Sequence, residues 1–172
     1  MRDEQGVVPG LRGSSTSESY EGQRDHPFYM SYLRGEYGEP VGVQIGEIMQ
    51  RWVRVPIVSE GYNSCYPVIA VNIGEAQMIH MSRDPWRPTN TDEYWQRLRE
   101  WQRLGCDVTL LRVMRSALLG KEDEQLQELF GSKFLDLDLG EIDSRFGLVF
   151  DVKKRLLLVQ LTDTKEMKKF QI

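Results

Sequence analysis

A chain of 172 residues, 40% of them hydrophobic, provides enough material for one ordinary core and little for a second. Its formal net charge of −4 argues against a nucleic-acid partner, because phosphate backbones are bound through positive surfaces. No stretch approaches the roughly 20 apolar residues that span a bilayer, and two cysteines are too few for a secreted disulfide framework. The composition therefore predicts a single-domain, cytoplasmic protein without membrane insertion.

The first part of the chain is rich in glycine and serine and poor in large apolar groups, so it cannot repay the entropy cost of ordering. We predict a flexible tail over residues 1–25 and one folded domain over residues 26–172. Alternating apolar residues then predict strands over residues 41–46 and 53–58, the second tolerating Pro56 only at an edge or a bulge. The small and polar residues that follow predict a turn over residues 59–64.

Two apolar runs, residues 67–73 and 76–81, predict a hairpin that turns through Ile73 and Gly74. If its centre lies between these two residues, His80 pairs with Pro67. Cys65 is then two residues further on and on the same face, because side chains alternate with period two. Such diagonal neighbours have Cα atoms about 7–8 Å apart. A slip of one residue in register would put the cysteine and the histidine on opposite faces.

The rest of the chain predicts helices and further strands. A capping-box pattern at Asn90 and Glu93 starts a helix that ends at Gly105, with a core-facing stripe at helical spacing formed by Tyr94, Leu98, Trp101 and Leu104. A second helix is predicted over residues 122–130, and strands over residues 108–113, 134–139, 146–151 and 156–161. Because strands outnumber helices and are not strictly interleaved with them, we predict an α+β fold: mostly antiparallel, sandwich-like sheets flanked by two or more helices.

Cys65 and His80 are the residues that predict chemistry. A thiol and a nitrogen base are two of the three components that attack on a carbonyl needs. The third, a set of donors for the oxyanion, is predicted at the backbone amides of Gly61, Asn63 and Ser64. A hydroxyl from Ser59 is suited to orient the imidazole or to position the substrate. Two cysteines and two histidines make a poor zinc inventory, and this chemistry requires no cofactor.

A structural interpretation competes with the catalytic one. A cysteine at the start of a strand is more often a packed small hydrophobe, and a histidine at the end of a strand is often structural. Cys106, which lies between Gly105 and the next strand, fits that description well.

Residues 58–65, with the sequence VSEGYNSC, resemble the segment that leads to the nucleophile in bacterial chemoreceptor glutamine deamidases, the CheD family. Residues 43–47 are similar to the opening strand of that family, and residues 145–159 to its closing hairpin. The resemblance implies a deamidase-like fold with Cys65 as the nucleophile and His80 as the base. Ser59 takes the place of a threonine as the auxiliary hydroxyl. The Cys-to-His interval is closer to that of the related deamidase domains of cytotoxic necrotizing factor toxins.

The resemblance implies a hydrolase that converts protein glutamines to glutamates. Its protein substrate would be a chemoreceptor or another regulatory protein, in chemotaxis or as the target of an injected effector. Two alternatives stay open. The fold could serve as an inert binding or adaptor protein with a surface near Trp86, or the site could belong to another cysteine amidohydrolase or a transglutaminase.

Overall fold

The computed structural model describes residues 31–32, 34–62, 65–81, 91–112, 122–140 and 145–172. The predicted tail over residues 1–25 lies outside the described residues, as do Asn63, Ser64, Trp86 and Asn90. Within the described ranges, no helix has the length and apolar character needed to cross a membrane.

The strands and helices occur mostly where the sequence predicts them. The strands are β1 (Val41–Val43), β2 (Ile57–Tyr62), β3 (Tyr66–Asn72), β4 (Glu75–Met81), β5 (Asp107–Arg112), β6 (Phe134–Asp138), β7 (Phe146–Asp151), β8 (Leu156–Leu161) and β9 (Met167–Gln171). The helices are α1 (Thr91–Leu104) and α2 (Glu122–Phe130), and a 3-10 turn over Gly131–Lys133 follows the second.

The strands form two sheets, in the orders β1-β2-β7-β8-β9 and β4-β3-β5-β6. The β1–β2 and β5–β6 pairs are parallel, and the other five pairs between the described strands are antiparallel. The predicted α+β class with mostly antiparallel sheets is therefore confirmed. The chain divides into two compact units. The first contains the five-stranded sheet, and the second contains the four-stranded sheet, both helices and residues 46–52.

The core of the second unit lies between its helices and one face of its sheet. Its members are Tyr66, Val68, Ala70, Ile79, Met81, Tyr94, Leu98, Trp101, Cys106, Val108, Leu110, Leu126 and Phe130. Three of the four residues predicted for the stripe of α1 belong to this core. The prediction is wrong for Leu104, which is 48% exposed because the helix ends there.

Gly105 ends α1 in the way that the sequence predicts. Its φ of 75° is the left-handed conformation that glycine adopts without steric cost. Its N–H donates to the Gln102 carbonyl, and the N–H of Cys106 donates to the Trp101 carbonyl, each at 3.1 Å. This pair of hydrogen bonds is a Schellman cap. It directs Cys106 into the helix-side core, where the residue is 1% exposed.

The β3–β4 hairpin has the predicted register. Asn72 pairs with Glu75, and the pairing continues without a shift to Tyr66 and Met81. Ile73 and Gly74 both have positive φ, 46° and 79°, as a two-residue type I′ turn requires. Because this turn fixes the register, His80 pairs with Pro67.

In the first unit, two strand boundaries differ from the prediction. The strand predicted over residues 53–58 instead starts after Pro56 and runs through the region predicted as a turn, to Tyr62. A bulge interrupts its pairing with β7 between Ser59 and Tyr62, and Gly61 has a φ of 87° there. A glycine bulge thus allows a strand where the composition suggested a turn. The strand predicted over residues 41–46 ends earlier, at Val43.

The chain ends in a meander in the first unit. The predicted hairpin between β7 and β8 is confirmed, with Asp151 pairing with Leu156 across the turn. Strand β9 was not predicted. It pairs antiparallel with β8 as an edge strand, and its mixture of lysines with Met167 and Phe170 lacks a clear alternation.

Candidate active site

Cys65 comes directly before β3, and His80 lies on β4, the strand that pairs with it. His80 pairs with Pro67, and Cys65 precedes Pro67 by two residues, which makes the cysteine the diagonal neighbour of the histidine. The intervening Tyr66 belongs to the helix-side core, as do Ile79 and Met81 on either side of His80, whereas Cys65 does not. Alternation along β4 therefore directs the imidazole to the opposite face, and the same alternation continued one residue before β3 predicts that face for the thiol.

Hydrogen bonds outside the hairpin fix the backbone of His80. The N–H of Gly46 donates to the His80 carbonyl at 2.9 Å, and the His80 N–H donates to the Glu47 carbonyl at 3.0 Å. Both backbone groups of His80 thus point away from β3, so His80 and Pro67 form a non-hydrogen-bonded pair. Side chains approach more closely across such a pair, and the missing N–H of Pro67 is not needed toward β4.

Both side chains are buried, with Cys65 6% exposed and His80 fully covered. Neither Cys65 nor Cys106 is in a disulfide. Burial disfavours an isolated thiolate and an isolated imidazolium, but transfer of a proton from thiol to imidazole creates both charges together as an attracting pair. A thiol next to a histidine therefore has a route to the reactive thiolate that a thiol in an apolar core lacks.

Cys106 is an example of a thiol in an apolar core. Burial is the main cause that raises the pKa of its thiol to about 11, and the negative charge of Asp107 adds to the effect. At about pH 8, roughly one such thiol in a thousand is ionised. The interpretation of Cys106 as a packed hydrophobe agrees with its place in the core.

Ser59 lies in the first unit, and its hydroxyl is engaged there. It is fully buried, its O–H donates to the Val43 carbonyl at 2.7 Å, and its oxygen accepts from the hydroxyl of Tyr62 at 2.7 Å. The ring of Tyr62 stacks on Phe146, with centroids 4.9 Å apart. Ser59 thereby links β1, β2 and the bulge in one network. Gly61 shapes that bulge, while Asn63 and Ser64, the other predicted oxyanion residues, lie outside the described residues.

Replacing Ser59 by alanine is expected to lower the free energy of unfolding by about 1–3 kcal/mol, because the change leaves the buried Tyr62 hydroxyl and the Val43 carbonyl without this partner. Urea denaturation measures the loss. Tyr62→Phe is the matched variant. The two losses should be less than additive, because each change removes the same hydrogen bond. Full additivity would show that the hydroxyls act independently.

The structure also reveals a polar network around Arg97 that the sequence did not signal. Its guanidinium donates to the Met49 carbonyl at 2.8 Å, to Gln77 Oε1 at 3.0 Å and to Gln50 Oε1 at 3.1 Å. The same Gln77 oxygen accepts from Trp101 Nε1 at 2.6 Å. An arginine on a polar helix face gives no pattern in the sequence that distinguishes it from its exposed neighbours.

In the described parts of the chain, no group of three or more His, Cys, Asp or Glu side chains is arranged to hold a metal ion. The sequence matches no protein-family model, and no curated protein matches it significantly. The arrangement of Cys65 and His80, together with the resemblance of residues 58–65, is therefore the basis for a functional conclusion.

Proposed function

We propose that the protein is a cysteine-dependent glutamine deamidase, with Cys65 as the nucleophile and His80 as the base. The observation that carries this proposal is the register of the β3–β4 hairpin, which makes Cys65 and His80 diagonal neighbours on one face. The sequence resemblance supports the same two residues, since it implies Cys65 as the nucleophile and His80 as the base. The substrate is a glutamine side chain of a protein, and the reaction takes place in the cytoplasm.

The proposed reaction proceeds through a thioester. An imidazole nitrogen of His80 takes the proton of the Cys65 thiol, and the thiolate attacks the amide carbon of the glutamine side chain. The carbon–nitrogen bond breaks as the imidazolium returns the proton to the nitrogen, and ammonia leaves. Water then attacks the thioester with His80 as the base, which releases glutamate and restores the thiol.

Two features support His80 as the base. Its backbone N–H and carbonyl are bonded to Glu47 and Gly46, and the hairpin register sets the position of its Cα opposite Pro67. Both members of the pair are buried. The attraction between the two charges formed by proton transfer is stronger there than in water. The donors for the oxyanion are assigned to backbone amides before Cys65, the role predicted for Gly61, Asn63 and Ser64.

Alkylation kinetics test the pair before any substrate is known. At about pH 8, iodoacetamide is expected to modify Cys65 at least about tenfold faster than Cys106, because His80 raises the thiolate fraction of the first thiol alone. Peptide mass spectrometry of the native protein at successive times gives both rates. Labelling of the unfolded protein in urea is the control, and there the two rates should be similar.

Replacing His80 shows whether fast alkylation of Cys65 comes from activation of the thiol by His80 or from exposure of the thiol to the reagent. His80→Gln keeps a side chain of related shape and should slow the alkylation of Cys65 without changing that of Cys106. Equal, slow labelling of both thiols in the wild-type protein would reject the enzyme and favour an adaptor that retains the fold. Unchanged labelling in His80→Gln would remove His80 from the role of base.

A further inference from the structure

We propose that Arg97 is a positioning residue for His80, acting through residues 46–50, which we call the edge segment. The proposal rests on the proposed function, because the position of His80 matters only if its ring exchanges a proton with Cys65. Arg97 lies on α1, and it contacts the edge segment and the side chain of Gln77 on β4.

The edge segment runs along β4 and holds it at three points. Gly46 and Glu47 bind the carbonyl and the N–H of His80, and the N–H of Met49 donates to the Met78 carbonyl at 3.1 Å. Ile48 forms an isolated antiparallel bridge with Ile79. The three hydrogen bonds lie between Gly46 and Met49, so contacts at the far end of the segment add to its attachment to β4.

Arg97 fixes that far end. One guanidinium nitrogen binds both the Met49 carbonyl and Gln77 Oε1, and the other terminal nitrogen binds Gln50 Oε1. Gln77 is three residues before His80 on β4 and is 2% exposed. The guanidinium therefore bridges the edge segment to the strand that carries His80.

The helix side of this bridge is also fixed. Arg97 Nε lies 3.2 Å from Glu100 Oε2, one turn along α1, and the side chain of Arg97 is 15% exposed. Gln77 Oε1 is held in place by the indole N–H of Trp101. A planar fork that donates in several directions suits these acceptors, and a lysine ammonium reaches fewer of them at once.

Two variants and one control test the proposal. Arg97→Ala removes every contact of the guanidinium, whereas Arg97→Lys keeps the charge and part of the bonding. Arg99→Ala is the matched control, since Arg99 is an exposed arginine on the same helix and outside this network. Thermal unfolding followed by circular dichroism establishes that each variant is folded at the temperature of the experiment.

Amide hydrogen exchange by NMR measures how readily the hydrogen bond between the His80 N–H and the edge segment opens. In Arg97→Ala, the amides of His80 and Met49 should exchange about tenfold faster, which corresponds to one lost hydrogen bond. Amides in the β7–β8 hairpin and the whole of Arg99→Ala should be unchanged. The chain has two histidines, so His26→Gln leaves the ring signals of His80 alone, and these should shift in Arg97→Ala and return partly in Arg97→Lys.

The chemical consequence is measured by the alkylation of Cys65, which should slow several-fold in Arg97→Ala and recover partly in Arg97→Lys. Unchanged exchange at His80, or faster exchange with unchanged alkylation, would overturn the positioning role. Failure of the proposed function gives a different result: slow alkylation of Cys65 already in the wild-type protein. In that case the exchange and ring signals of His80 still decide whether Arg97 holds the edge segment.

Discussion

Replacing Cys65 by serine is expected to reduce deamidation about a thousandfold or more, because a neutral hydroxyl is a far poorer nucleophile than a thiolate. The two side chains have nearly the same shape, so the hairpin and its register should be preserved. The measurement is release of ammonia from a panel of proteins with exposed glutamines. Peptide mass spectrometry identifies each glutamine that becomes glutamate.

Cys106→Ala is the matched control for this experiment. It removes the second thiol from the helix-side core and leaves the face that carries Cys65 and His80 unchanged, so it should retain activity. Added primary amines separate hydrolysis from amine transfer, since a transglutaminase would attach the amine to the glutamine. A partner that binds tightly to both wild type and Cys65→Ser, with its glutamines intact, would replace the deamidase by an adaptor.

Trp101→Ala should lower the free energy of unfolding by about 3–5 kcal/mol, a larger loss than that expected for Ser59→Ala. The indole is fully buried between α1 and the sheet, and it also donates to Gln77 Oε1 at 2.6 Å. A loss of this size is a large part of the total stability of an ordinary domain. Urea denaturation followed by circular dichroism measures it.

Two variants on the same helix separate the contribution of the buried aromatic ring from that of its N–H donor and from that of an exposed side chain. Trp101→Phe keeps an aromatic ring and removes the N–H donor, so it should cost clearly less than the alanine change. Leu104→Ala changes a residue that is 48% exposed and should stay within about 0.5 kcal/mol of wild type. A small effect of Trp101→Ala would mean that the core of the second unit tolerates a cavity of indole size.

The register of the β3–β4 hairpin could be predicted because its turn is short. Two residues between two apolar runs allow few pairings, and the Ile73-Gly74 dipeptide fits the two-residue turn that fixes the register. A turn centred between Ile73 and Gly74 pairs His80 with Pro67, as the structure has it. Helix α1 was predictable for a similar reason, since Gly105 ends it and its apolar spacing identifies the buried face.

The extent of β2 and the bonding of Ser59 could not be predicted. Residues 59–62 look like a turn because they are small or polar, and only the pairing with β7 and the bulge at Gly61 make them a strand. The sequence predicts that the serine hydroxyl orients the imidazole or positions the substrate, and it gives no sign that its hydrogen is donated to the Val43 carbonyl. Contacts with residues distant in sequence determine both the extent of β2 and the bonding of Ser59. Arg97 escaped prediction because its partners lie 20 and 47–48 positions away in sequence.

The edge segment has a consequence for solubility as well. Outer strands of sheets offer unsatisfied amides and carbonyls that recruit strands from other molecules. On β4 the N–H and carbonyl of His80 and the carbonyl of Met78 are already bonded to Gly46, Glu47 and Met49. A chain whose edge segment detached would expose these backbone groups of β4 to strands of other molecules. Residues 46–50 therefore protect the folded molecule from intermolecular β-pairing, a role that would persist even in a copy that had lost its thiol.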